Sequence, residues 1–229
     1  MSKLQRPMLK REKLAILKLS KVISPVTSLS PSIAALEAFD RVLSDTERGY
    51  DIPAFLVSSN YVVPLARQLE LSVGSGNEES ARRRLIINIF RVTFGSHVFD
   101  SAVVGPAAVS ISTMLASVNP ATLELDGLSL LNIIVSHVAD SAHPTVLANL
   151  ATFAAAVRTC SVPRPAVSES LLDEPKPIYQ AFLEKCMTIA GRLCKHSTTA
   201  LPFSGVAVYI PVLQDVIQRK VDRLALPKN

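Results

Sequence analysis

The sequence predicts an all-α protein, and three observations carry that reading. Hydrophobic residues make up 48% of the 229-residue chain and charged residues 19%, too apolar for a disordered chain and enough to demand a large core. Aromatic residues are 5%, tryptophan is absent, and glycine occurs 8 times against 15 prolines, whereas small sandwiches and barrels need glycine-rich turns. Apolar residues recur at helical rather than alternating offsets, as in Leu85, Ile86, Ile89 and Phe90 with Thr93.

Helix starts are marked along the chain. Ser30-Pro31 and Asn119-Pro120 each set a capping residue before a proline at the first helical position, where the missing N–H costs nothing. Ser75 and Glu78 have the spacing of a capping box, which predicts a helix opening near Asn77 and running through Thr93. The stretch from Ser101 to Leu123 is 23 residues without a charge, long enough to cross a bilayer. Its Pro106, Asn119 and Pro120, with five serine or threonine side chains after Ser101, favour two packed core helices over a membrane span. Residues 161–177 hold Pro163, Pro165, Pro175 and Pro177 among Ser168, Glu169, Ser170, Asp173 and Glu174, and read as an inserted loop.

The formal net charge of +5 sits at one end. Lys3, Arg6, Lys10, Arg11, Lys13, Lys18 and Lys21 against Glu12 give the first 25 residues +6, leaving −1 for the remainder. Residues 1–29 are therefore read as a basic N-terminal arm or capping helix, ahead of a repeat domain at 30–229. The arm's Leu4, Met8, Leu9, Leu14 and Leu17 predict that much of it docks on the body. It lacks the unbroken apolar run of a secretory signal, and three cysteines cannot all pair. Reduced, buried thiols and a cytoplasmic or nuclear location are expected.

A repeat lies in the spacing. Leu85-Ile86-Ile87-Asn88-Ile89-Phe90, Leu130-Leu131-Asn132-Ile133-Ile134 and Leu147-Ala148-Asn149-Leu150-Ala151 share an asparagine in an apolar setting. Asn88 to Gly105, Asn132 to Asn149 and Thr188 to Gly205 are each 17 residues, and Gly105 to Asn132 is 27. Repeat starts fall near Asn60, Gly105, Asn149 and Gly205, in steps of 45, 44 and 56, the last lengthened by the proline-rich insert. Ala35-Leu36-Glu37-Ala38-Phe39-Asp40-Arg41 supplies an earlier partial unit, with Arg41 in the asparagine position, as Thr188 is in the last.

On these residues the chain resembles the armadillo-repeat family. That resemblance implies a right-handed superhelix of stacked three-helix repeats. Each repeat would open with a turn at its glycine, and the third helices would line a concave groove. It also implies that Asn88 and Asn132 clamp the backbone of an extended peptide. Members that read basic peptides carry tryptophan four residues before that asparagine. Arg84 and Leu128 stand there instead, and Arg91 follows on the same helix. The implied site is thus Arg84, Asn88, Arg91, Leu128 and Asn132, and the implied partner another protein presenting an extended or acidic segment. The asparagines have a structural alternative, which is to bond a neighbouring repeat and fix its register.

No chemistry is written in the sequence. His97, His137, His143 and His196 form no HExxH arrangement, no CxxC occurs, and Val73-Gly74-Ser75-Gly76-Asn77 lacks the lysine and spacing of a phosphate loop. No catalytic residue, metal or cofactor is expected. The leading expectation is a non-enzymatic scaffold or adaptor. The alternative is an RNA-binding helical protein, of nucleocapsid or ribonucleoprotein type, using Lys3, Arg6, Lys10, Arg11 and Lys13 together with the helix from Arg82 to Arg91. A third reading makes the chain one part of a larger assembly.

Overall fold

In a computed structural model the described residues are 10, 14, 32–44, 62–72, 74, 76–95, 101–119, 126–161, 177–198, 204–207, 209–210, 213–214 and 217–218. Every regular element among them is helical: α1 (Ile33–Ser44), α2 (Val62–Leu71), α3 (Asn77–Gly95), α4 (Ser101–Ser117), α5 (Asp126–Ile134), α6 (His143–Ser161), α7 (Pro177–His196) and α8 (Ser204–Ala207). Two 3-10 turns, Val135–His137 and Asp140–Ala142, connect α5 to α6.

The starts follow the local chemistry. Helix α3 opens at Asn77, as the capping-box spacing predicts, with Glu78 and Glu79 in its first turn, where the helix dipole favours acids. The cap expected at Ser30-Pro31 falls two residues later: the Oγ of Ser32 accepts the Ala35 N–H at 3.2 Å and α1 begins at Ile33. Helix α7 opens on Pro177, the first position that tolerates a missing N–H. The start expected at Pro120, and the insert apart from the helix ends Ser161 and Pro177, lie outside the described residues.

The helices alternate between two layers. Helices α1, α3, α5 and α7 pack in succession on one side, and α2, α4, α6 and α8 on the other. Contacts α2–α3, α4–α5 and α6–α7 join the layers. Between them runs one apolar cluster, from Leu36 and Phe39 on α1 through Phe90, Ile111, Leu131 and Phe153 to Tyr209. Phe153 of α6 meets Phe182 of α7 edge-on with ring centroids 6.0 Å apart, which fixes one of the joints between layers.

Within the charge-free stretch at 101–123, residues 101–117 form one helix and residues 120–123 lie outside the described residues. Helix α4 runs unbroken through Gly105 and Pro106, so the turn that should open a repeat there is not formed. Gly105 is buried and Pro106 exposed, so the ring that removes one helical hydrogen bond sits on the water side. The 17 residues of α4 span about 26 Å at 1.5 Å per residue, and no described helix is long and apolar enough to cross a membrane. The hydroxyls of that stretch are used inside the fold. Ser110 donates to Glu70 of α2 at 2.5 Å, and the Asn149 amide of α6 donates to both Ser112 and Thr113 at 3.1 Å.

The cysteines are free, but only Cys186 is buried; Cys160 and Cys194 are exposed, correcting the expectation of three buried thiols. Lys10 and Leu14 are helical and exposed, Leu14 by 49%, so docking of the basic arm is not seen at these two residues. Lys3, Arg6, Arg11 and Lys13 lie outside the described residues.

Three outcomes follow from this packing. Phe153→Ala leaves a void at the α6–α7 joint and should cost about 3–5 kcal/mol in urea unfolding. Burial pushes the Cys186 thiol up to about 12, so a thiol reagent should label Cys160 and Cys194 in the native protein and Cys186 only after unfolding. Stability tied to that neutral thiol is present below an unfolded-thiol pKa of about 8.5 and is lost as pH rises toward 12. Cys186→Ala should flatten that alkaline limb of the unfolding midpoint.

Candidate functional site

The four equivalent positions read from the repeat, Arg41, Asn88, Asn132 and Thr188, fall on α1, α3, α5 and α7, so one layer carries them all. Each is held differently. The Asn88 amide donates to Asp40 Oδ1 of α1 at 2.5 Å, and its oxygen accepts from Arg91 at 2.6 Å. Asn88 therefore ties α3 to α1, which is the register role. Asn132 has a buried amide oxygen without a hydrogen-bond partner, and its backbone carbonyl accepts from Arg192 of α7 at 2.8 Å. The Thr188 hydroxyl turns back to the Glu184 carbonyl and Arg41 to the Glu37 carbonyl. Asn149 lies in the other layer, where it bonds α4 as described.

Arg84 and Arg91 are exposed on α3, while Leu128 is not available to a partner. It is fully buried because the start of α5 lies close against its neighbours. A Cβ added to Gly127 would sit 3.4 Å from side-chain atoms of Leu115 and Met114 and 3.6 Å from Ile87. Leu128 leaves the predicted site and joins the core. The exposed apolar residue near Asn132 is Ile133, at 44%.

The arginine run is also divided by the fold. Arg82 is buried and paired with Glu78 at 2.9 Å. Arg83 is 5% exposed and donates to the carbonyls of Ser72 and Gly74 at 2.6 Å each, closing the chain between α2 and α3. A guanidinium holding two carbonyls is a structural clamp, removed from any phosphate. Of the predicted basic helix, Arg84 and Arg91 remain on the surface.

A polar cluster joins the turn before α6 to the end of α7. The Thr198 hydroxyl and N–H both donate to Asp140 Oδ2, the latter at 3.2 Å. The buried His143 lies with Nε2 3.0 Å from the Val138 carbonyl and Nδ1 3.6 Å from Asp140 Oδ1. Acid, imidazole and hydroxyl are all present, but the imidazole does not stand between the other two. It spends its N–H on a main-chain carbonyl, so the set fastens a turn instead of activating a nucleophile. Among the described residues no group of three His, Cys, Asp or Glu side chains is placed to hold a metal.

Sequence reasoning missed a cleft on the opposite layer. Residues of α2, α4 and the turn at 139–145 enclose about 870 Å³, with Val63, Leu71, Pro106 and Val109 among its walls and Arg67 and Glu70 beside them. Arg67, the basic residue of Val62–Leu71, was the available signal. Comparison of the chain with protein-family models, with curated proteins and with solved structures finds no match.

Two outcomes test these assignments. Arg83→Ala leaves the buried Ser72 carbonyl without its donor, the Gly74 carbonyl being open to water, and should cost about 1–3 kcal/mol, against less than about 1 kcal/mol for Arg84→Ala, measured by chemical unfolding. The Thr198 hydroxyl, foremost, and then its N–H hold the Asp140 carboxyl below the ordinary carboxylate range, against a smaller opposing effect of burial. The stability this gives is present above the unfolded value near 3.9 and is lost as pH falls through the folded one. Thr198→Val should shrink the acid-induced fall in the unfolding midpoint.

Proposed function

We propose that the chain is a non-enzymatic, armadillo-like α-solenoid that binds another protein along the face of α1, α3, α5 and α7. The observation that supports this is the coincidence of a sequence period with a spatial one. Steps of 47, 44 and 56 residues bring equivalent positions onto consecutive helices of a single layer. Among the described residues each period contributes two helices, one to each layer. Stacking remains the way each covers its apolar side.

The ligand class follows from the charges within one turn of those positions. Arg41, Arg84, Arg91, Lys185 and Arg192 outnumber Glu37, Asp40, Asp45 and Glu184 there by one. An extended acidic segment complements that surface, with guanidinium groups to pair its carboxylates. RNA binding would rely on the same two exposed arginines of α3 and the basic arm, because Arg82 and Arg83 are committed inside the fold.

The test is capture with the tagged full chain from cells that express it. Arg84→Glu combined with Arg91→Glu should remove the bound protein while leaving the thermal midpoint within a few degrees. An unchanged set of bound proteins would exclude this face. Loss of bound nucleic acid with salt, abolished by deleting residues 1–24, would favour RNA instead.

A further inference from the structure

The cleft on the other layer has the composition of a second docking site. Leu71 is 62% exposed and stands one turn after Arg67 on α2, so an apolar side chain and a guanidinium share one edge of the cleft. Pro106, Val109 and Ala142 continue the apolar wall across α4 and the turn before α6. The two charges are not equivalent. Glu70 already accepts the Ser110 hydroxyl at 2.5 Å, whereas Arg67 makes no hydrogen bond or ion pair among the described residues. The guanidinium at this edge is exposed and uncommitted within the protein, and a carboxylate fits its fork.

From this geometry we propose that the α2–α4 cleft binds a short apolar peptide segment of a partner protein that carries a single carboxylate side chain. The carboxylate pairs with Arg67 and its apolar neighbours cover Leu71 and the Pro106–Val109 wall. A segment of a larger chain suits the site better than a free small molecule. An open cleft cannot enclose most of a small ligand's surface, but a segment needs only one side covered. Arginine is also among the residue types enriched where interface energy concentrates. This site is on the layer opposite the face of α1, α3, α5 and α7 and stands apart from that reading.

The test uses the full chain and three fluorescently labelled, end-capped pentapeptides of sequence Leu-Leu-X-Leu-Leu, with X as glutamate, glutamine or lysine. Wild-type protein should prefer the glutamate peptide over the glutamine one by about tenfold, the scale of one charge-assisted pair. Arg67→Glu should reverse the order and favour the lysine peptide, a reversal that an unfolded protein could not produce. Leu71→Ala should weaken all three alike, and Arg84→Glu with Arg91→Glu should leave the series unchanged. Equal affinities for the three peptides, absence of binding, or an order unaltered by Arg67→Glu would overturn the proposal. Loss of the preference on changing Arg84 and Arg91 alone would do the same, moving the acidic site to the other face.

Discussion

Everything in this architecture rests on a few hydrogen bonds set into apolar interfaces between helices of the same layer. Asn88 joins α3 to α1 through Asp40, and Ser110 joins α4 to α2 through Glu70. Asn149 joins α6 to α4 through Ser112 and Thr113, while Lys185 and Arg192 join α7 to α5 through Ser129 and the Asn132 carbonyl. Each is worth about 1 kcal/mol net, small beside the apolar burial around it. Their value lies in the alternative. A helix slid by one turn would leave the shielded members of this set, such as Ser110, unpaired, at a cost of about 1–3 kcal/mol for each that stays buried. Burial makes the helices adhere; the polar groups decide where.

The same logic accounts for the arginines. Four of them occur on α3, and sequence alone treats them as one basic surface. The chain between α2 and α3 leaves the Ser72 and Gly74 carbonyls in need of donors, and Arg83 supplies both from a single guanidinium. Arg82 is drawn to Glu78 one turn earlier. Surface electrostatics on this layer is therefore carried by Arg84 and Arg91, and on the other layer by Arg67.

Much of the fold was legible because its signals are local or periodic. The capping box gave the start of α3, and the 17/27 spacing sorted Arg41, Asn88, Asn132 and Thr188 onto helices that do lie in one layer. The failures are tertiary. Gly105-Pro106 reads as a turn, but its proline ring can face water while the helix continues. Leu128 shares a helix face with Asn132 by spacing, but the first turn of α5 packs inward, with Gly127 beside Leu115, Met114 and Ile87 and Leu128 fully buried. The cleft beside Arg67 was illegible for a related reason, since its walls are contributed by residues about 40 to 80 positions apart.

The arrangement of contacts has a consequence for how disturbance spreads. The principal contacts of α1 are with α3, and those of α7 are with α5 and α6. A displacement at either extremity must therefore cross several separate seams before the far one registers it. Among the described residues, releasing α1 gives up chiefly its seam with α3, whereas releasing α4 breaks its contacts with α2, α5 and α6 together. The middle of the molecule is in this way sheltered by its own sequence of neighbours, and the extremities are where the chain first yields.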